Sequence, residues 1–261
     1  MSLVQKRTRI QVWQDVIFAI FVREIKSKFN DKVGISWAII NPLIFIFVLS
    51  FLRSQLGGPI THTMPTLIFM MFGMLIIQLF LSTFNSVSSS IKKNKALFAF
   101  RQVLPISAVL ATGLFELLSK LVVIVVLLLI IYLIDVEFRL DDPLLILFYI
   151  FLVWLLSVSL GLIFAIGKAF VGELSKIEAL LLRPMFFISG IFFSLQDIPK
   201  QYWPYLDWNP FLHAVELARD ASYKTFGAQG VSIEYLLMCT LVSLFLALSC
   251  YRVFWKQVLS R

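Results

Sequence analysis

His213, Glu216 and Arg219 follow one another at steps of three after Asn209-Pro210. That spacing sets an imidazole, a carboxylate and a guanidinium on one helix face, where they can pair. Glu116 and Lys120 stand four apart in a strongly apolar run, so the two charges can neutralise each other inside a bundle. Arg183 lies beside Pro184 in another apolar stretch, where it reaches either the aqueous surface or a polar cavity, and the proline loosens the helix around it. None of these groups forms a catalytic set. His62 and His213 have no Cys or His nearby at metal-ligand spacing, so no metal site is expected. The sequence contains neither GxSxG nor GxxxxGK[ST], so it has no nucleophile elbow and no loop to cradle ATP phosphates. The chain is expected to hold no cofactor and to hydrolyse no nucleotide; any driving energy comes from another subunit or from an ion gradient.

The elements that carry these charges follow from hydropathy. The 261 residues are 60% hydrophobic and 15% charged, with mean hydropathy +0.91, well outside soluble composition. Six stretches have about the 20 apolar residues a helix needs to cross the hydrocarbon. They are Ile35 to Leu52, Thr66 to Val87, Ala108 to Ile134, Leu144 to Ile166, Ile177 to Leu195 and Ile233 to Phe254. None shows barrel-type alternation, so the fold class is an all-α membrane protein with six transmembrane helices. Arg183-Pro184 and Gly190 make the fifth span the least regular. Cys239 and Cys250 lie about 16 Å apart along one helix, too far for a bridge, and read as small apolar residues. No cleavable signal peptide is expected, because the apolar run Val16 to Val22 is short and ends at Arg23-Glu24.

The net charge of +8 sorts by side. Lys6, Arg7, Arg9, Arg23, Lys26, Lys28, Lys32, Lys92, Lys93, Lys95, Arg101, Lys168, Lys176, Arg252, Lys256 and Arg261 fall on one side. Only Arg53, Arg139, Lys200, Arg219 and Lys224 fall on the other. The rule that basic loops stay inside puts both termini in the cytoplasm. It also accounts for the charge without nucleic acid, which is not an expected partner.

Three segments do not cross. Ile10 to Phe29 mixes Trp13, Phe18, Phe21 and Phe29 with charged residues, as an amphipathic helix in the cytoplasmic interface does, with its cations toward lipid headgroups. The loop Lys92 to Pro105 exposes Leu97, Phe98, Phe100, Val103 and Leu104 beside Arg101, apolar surface that a cytoplasmic partner would cover. The external segment Asp197 to Gly230 concentrates Tyr202, Trp203, Tyr205 and Trp208. It reads either as an aromatic belt at headgroup level or as a platform for sugar faces. Asn209-Pro210 predicts a helix start there and Gly227 a stop.

Two sequence blocks resemble the permeases of ABC-2-type polysaccharide exporters, closest to the capsular polysaccharide export permeases of Gram-negative bacteria. One runs Phe21-Val22-Arg23-Glu24-Ile25 to Gly34-Ile35-Ser36-Trp37-Ala38-Ile39-Ile40-Asn41-Pro42. The other runs from Ile198-Pro199-Lys200-Gln201-Tyr202-Trp203-Pro204 through Asn209-Pro210 to His213, Glu216, Arg219 and Asp220. Asn94 to Pro105 matches the family's coupling segment, with Gln102 where relatives often carry a second proline.

The resemblance implies residues 1–34 as a cytoplasmic segment with a gate helix and residues 35–261 as the transmembrane domain. It implies coupling at 92–105 and external re-entrant helices within 197–230. Its further implications are a homodimer in the bacterial inner membrane and two copies of an ATP-binding subunit, holding ATP and Mg, against Leu97 to Leu104. A periplasmic adaptor and an outer-membrane channel would receive a lipid-linked acidic polysaccharide. On that basis Arg23, Lys26, Lys28 and Arg183 would attract the polymer at the cytoplasmic mouth. Tyr202, Trp203, Tyr205, Trp208, His213, Glu216 and Arg219 would line or gate its exit. The alternatives are a permease for another lipid, a drug or an O-antigen-type glycan, an ion-coupled carrier using Glu116 and Lys120, and a membrane enzyme acting on lipid-linked sugar, for which no cluster of acids or histidines speaks.

Overall fold

A computed structural model describes residues 8–29 and 32–260, without the side chains of residues 28, 29, 32–36, 38 and 260. Lys6 and Arg7, and the side chains of Lys28 and Lys32, therefore lie outside the described residues. The described chain is helical: α1 (Arg9–Phe29), α2 (Lys32–Gly57), α3 (Thr66–Lys93), α4 (Pro105–Leu133), α5 (Pro143–Phe170), α6 (Leu174–Ile188), α7 (Pro210–Ser222) and α8 (Ile233–Ser260). A two-residue hairpin, β1 (Ile60–Thr61) and β2 (Met64–Pro65), closes the α2–α3 connection around His62, whose φ is 55°.

Five of the helices, α2, α3, α4, α5 and α8, are long and apolar enough to cross a membrane. Of these, α3 and α5 are the most buried and form the centre of the bundle. The indole of Trp154 on α5 donates to the Gly113 carbonyl of α4 at 2.8 Å, giving a buried donor its partner. The outer helices turn Val125 and Leu129 of α4, and Phe245 and Leu248 of α8, away from the protein. Hydrocarbon is the solvent that suits such faces. Helix α1 packs Val16 and Ile20 against Ala111 of α4, with Phe21 edge-on to Phe115.

The stretch Ile177 to Leu195, read from hydropathy as one span, is built differently. Helix α6 starts at Leu174 and stops after 15 residues, at Ile188, about 22 Å of rise. It stops at Ser189-Gly190, where Gly190 takes φ 74° and a Cβ would lie 2.5 Å from Leu212. No other residue type fits that turn without strain. The chain nevertheless covers the length of the bundle. Glu178 accepts from Ser88 near the C-terminal end of α3 at 2.8 Å. Ile191 then sits against Gly73 in the N-terminal half of α3, where a Cβ would approach it to 2.8 Å. Asp197 reaches His62 beyond the start of α3, at 3.1 Å.

From Asp197 the chain turns back. A 3-10 turn (Lys200–Tyr205) leads to Asn209, whose side chain caps α7 by accepting from Phe211 N–H at 3.0 Å. Phe211 stacks on Phe80, centroids 3.8 Å apart, so α7 begins beside the middle of α3. It then rises to Arg219, level with Phe69. The helix ends at Ser222, short of the expected stop at Gly227. Tyr223 turns aside there, its hydroxyl donating to the Glu137 carbonyl at 2.8 Å, and burial raises its pKa. Ser222 and Lys224 are tied to Arg139 and Asp141 in the same α4–α5 loop.

Candidate functional site

The expected face of His213, Glu216 and Arg219 forms, and all three residues are buried. The Arg219 guanidinium donates to Glu216 Oε1 (2.8 Å) and to the carbonyls of Phe69 (2.9 Å) and Ile191 (3.2 Å). It also lies 3.4 Å from the centre of the Phe69 ring. Glu216 takes its other bond from Ser194 Oγ at 2.6 Å. A buried charge pair is tolerable only when its remaining donors and acceptors are filled in this way. His213 accepts from Ser232 N–H at Nδ1 (3.0 Å) and contacts the Asp207 carbonyl through Nε2 (2.7 Å). These groups lock α7, the post-α6 turn and α3 together, so within the single chain they face the fold rather than an exit.

The aromatic residues of the segment Asp197 to Gly230 divide. Tyr202, Tyr205 and Trp208 are exposed, Tyr205 by 74%, while Trp203 is half-buried. Both indole N–H groups are committed to nearby carbonyls, Trp203 to Ile198 and Trp208 to Tyr205, each at 2.8 Å. The exposed rings therefore offer faces, and the tyrosines add hydroxyls.

At the opposite end, α1 is joined to the end of α3. Glu24, almost fully buried, receives Lys93 Nζ at 2.7 Å, and Arg23 bonds Asn94 Oδ1. The next residues form a 3-10 turn (Lys95–Ala99). Leu97, Phe98, Val103 and Leu104 are half-buried, Leu97 and Val103 against α1, whereas Phe100 and Arg101 are exposed, Phe100 by 60%. A second buried bridge, Lys168 to Glu178, joins α5 to α6, and Ser88 of α3 bonds both residues. Glu24, Asn94, Lys168 and Glu178 were not predicted as site residues. Glu24 and Asn94 stand only within the blocks of family resemblance, and Lys168 and Glu178 only as charges at the ends of apolar runs, which interfacial residues share.

Between these ends, α3 carries Gln78, Ser82, Asn85, Ser86 and Ser89 at steps of three and four, all half-exposed or exposed in the single chain. Two bonds connect this stripe to α4: Ser86 to Glu116 at 2.8 Å and Lys120 to Gln78 at 3.5 Å. Lys26 on α1 and Arg183 on α6 are exposed. A polar stripe inside a span needs water or protein against it, since hydrocarbon satisfies none of its groups. Among the described residues no group of His, Cys, Asp and Glu is placed to hold a metal ion.

A bundle of apolar spans, with α1 locked to the basic end of α3 and a short internal helix, is accompanied by a family match over residues 15–223. The chain belongs to the ABC-2 type transporter family.

Among individual proteins, it is 38% identical over 252 residues to the polysialic acid transport protein KpsM of Escherichia coli, covering 94% of this chain and 96% of that one. It is 25% identical over 258 residues to the capsule polysaccharide export inner-membrane protein CtrC of Neisseria meningitidis serogroup B, covering 95% and 94%. To the corresponding protein BexB of Haemophilus influenzae it is 26% identical over 249 residues, covering 93% and 92%.

Proposed function

We propose that this chain is the inner-membrane permease of an ATP-driven exporter that moves capsular polysaccharide, an acidic polymer of the polysialic acid kind, out of the cell. The near full-length likeness to a polysialic acid transport protein carries this proposal. The polar stripe on α3 supports it physically, because a hydrophilic polymer needs such a wall through hydrocarbon.

The permease crosses six times, with both termini cytoplasmic. Support comes from the segment Glu178 to Asp197, which passes from the Ser88 end of α3 to the His62 end although its helix is short. The return from Asp197 to Phe211 and back through α7 is an external re-entrant excursion, reaching the depth of Phe80. Two permeases pair, and two ATP-binding subunits carrying ATP and Mg dock on the segment around Phe100 and Arg101. Their closure moves that segment, and Glu24–Lys93 with Arg23–Asn94 passes the movement to α1, a shift between two states set by differential contacts. Lys26, Lys28 and Arg183 draw the polymer to the cytoplasmic mouth, and the rings of Tyr202, Tyr205 and Trp208 meet it on the far side. A periplasmic adaptor and an outer-membrane channel take it onward.

The test is complementation of a capsulated host lacking its own permease. Surface capsule should return with this chain and an active ATP-binding subunit, and not with a subunit that cannot hydrolyse ATP. Intracellular polymer with no surface capsule in every combination would overturn the proposal.

A further inference from the structure

Helix α6 and its continuation run antiparallel to α3. Glu178 bonds Ser88, Phe186 lines one cavity with Ser82 and Gln78, and Ile191 sits against Gly73. That register sets Arg183 level with the Ser82 to Ser86 turn of α3, roughly ten residues or about 15 Å of rise short of Lys93. Arg183 lies one turn from Phe186, on the side of α6 that borders the polar stripe. Arg183, Asn85 and Ser89 are exposed, and among the described residues their side chains bond to no other group. Hydrocarbon offers such groups no partner, and a guanidinium at that depth is costly unless an anion or water meets it. The chain's own acids do not. Helices α2 and α3 carry none, so the same faces of a second copy supply none, and α6 has only Glu178, which Lys168 already holds. Glu116 of α4 is buried and takes a bond from Ser86. A lipid phosphate stays near the level of Lys92 and Lys93, where the basic residues gather. The guanidinium therefore calls for an anion that travels past it.

We infer that, granted the exporter role proposed above, Arg183 and Asn85 form a rung of the polymer's route that selects acidic sugar units. The guanidinium takes the carboxylate of one unit through two parallel bonds, a geometry that arginine presents and lysine does not. Asn85 bonds an adjoining hydroxyl, and Ser89, one turn nearer the cytoplasm, meets the next unit. In a low-dielectric surround a fixed cation discriminates strongly between an acidic and a neutral unit. The rung thus adds selection, inside the membrane, to the attraction that Lys26 and Lys28 exert at the mouth.

The experiment uses the complete exporter, this chain with its ATP-binding subunit, in nanodiscs. Two probes are compared: a sialic acid oligomer and the same oligomer with its carboxyls reduced to alcohols. A photo-crosslinker at Asn85, with Arg183 intact, should capture the acidic oligomer, and one at Leu129 on the outer face of α4 should not. Arg183→Gln should lower binding of the acidic oligomer, and its capture at Asn85, by at least about tenfold. Arg183→Lys, which keeps the charge and loses the fork, should lower them by about threefold. The reduced oligomer should bind all three proteins alike. Arg183 is exposed, so these variants fold as wild type does. The rung is overturned by unchanged acidic binding in Arg183→Gln, by equal losses for both probes, or by no capture at Asn85. Capsule restored in cells by wild-type chain alongside any of those results removes the rung and leaves the exporter role standing.

Discussion

Arg219 Nη2 donates to the carbonyl of Phe69, 150 positions away in sequence, at 2.9 Å, while its Nη1 holds Glu216 at 2.8 Å. This fully buried arginine is the pin between α7 and α3. Arg219→Met leaves Glu216 charged and unpaired in the interior and should cost about 3–5 kcal/mol of stability. The double variant Arg219→Met with Glu216→Leu should recover part of that loss. Thermal unfolding in detergent checks both, and a single variant as stable as wild type would remove the pin.

Glu24 and Lys93 join α1 to the end of α3, next to the segment proposed to dock the ATP-binding subunit. Glu24→Lys places like charges together in a nearly buried site and should reduce surface capsule by at least tenfold at equal expression. Swapping the pair, Glu24→Lys with Lys93→Glu, should restore much of the export. Equal export in the single and double variants would show that the pair transmits nothing.

Arg183 is exposed and Trp208 half exposed, with its indole bonded to the Tyr205 carbonyl, so alanine should change stability by no more than about 0.5 kcal/mol at Arg183 and about 1 kcal/mol at Trp208. Capsule export should nevertheless fall several-fold in each. Wild-type export in both variants, with expression matched, would take them out of the polymer's route.

Side assignment is open to single-cysteine labelling in whole cells, after replacing Cys239 and Cys250. Cysteines at Lys95 and Lys176 should resist a membrane-impermeant maleimide until the membrane is opened, and one at Lys200 should react at once. Immediate reaction at Lys95 would invert the molecule. Protection at Lys200 together with reaction at Lys176 would remove the sixth crossing.

The long apolar runs behind α3, α4, α5 and α8 were readable because length and hydropathy alone determine whether a helix suits hydrocarbon. Asn209-Pro210 was readable as a helix start because a cap is a local device. The failures are long-range. Gly190 already marks an interruption within Ile177 to Leu195, but only the fold shows that the helix ends at Ile188, with Leu212 from another helix packed against that glycine. Gly227 looked like the stop of α7, yet Tyr223 leaves the helix earlier to reach the Glu137 carbonyl. Spacing placed His213, Glu216 and Arg219 on one face but said nothing of the carbonyls of Phe69 and Ile191, which turn that face into an anchor. Glu24 and Glu178 carry no local sign of a buried bridge; only the fold sets Lys93 and Lys168 against them.

Whether force arrives from a cytoplasmic neighbour is measured most directly with reconstituted vesicles containing this chain, its ATP-binding subunit and lipid-linked acidic polymer. Polymer should become protected from an added glycosidase only when ATP is supplied on the face bearing the subunit, and not when the subunit is omitted. Transport by this chain alone, driven by a proton gradient without ATP, would contradict the account.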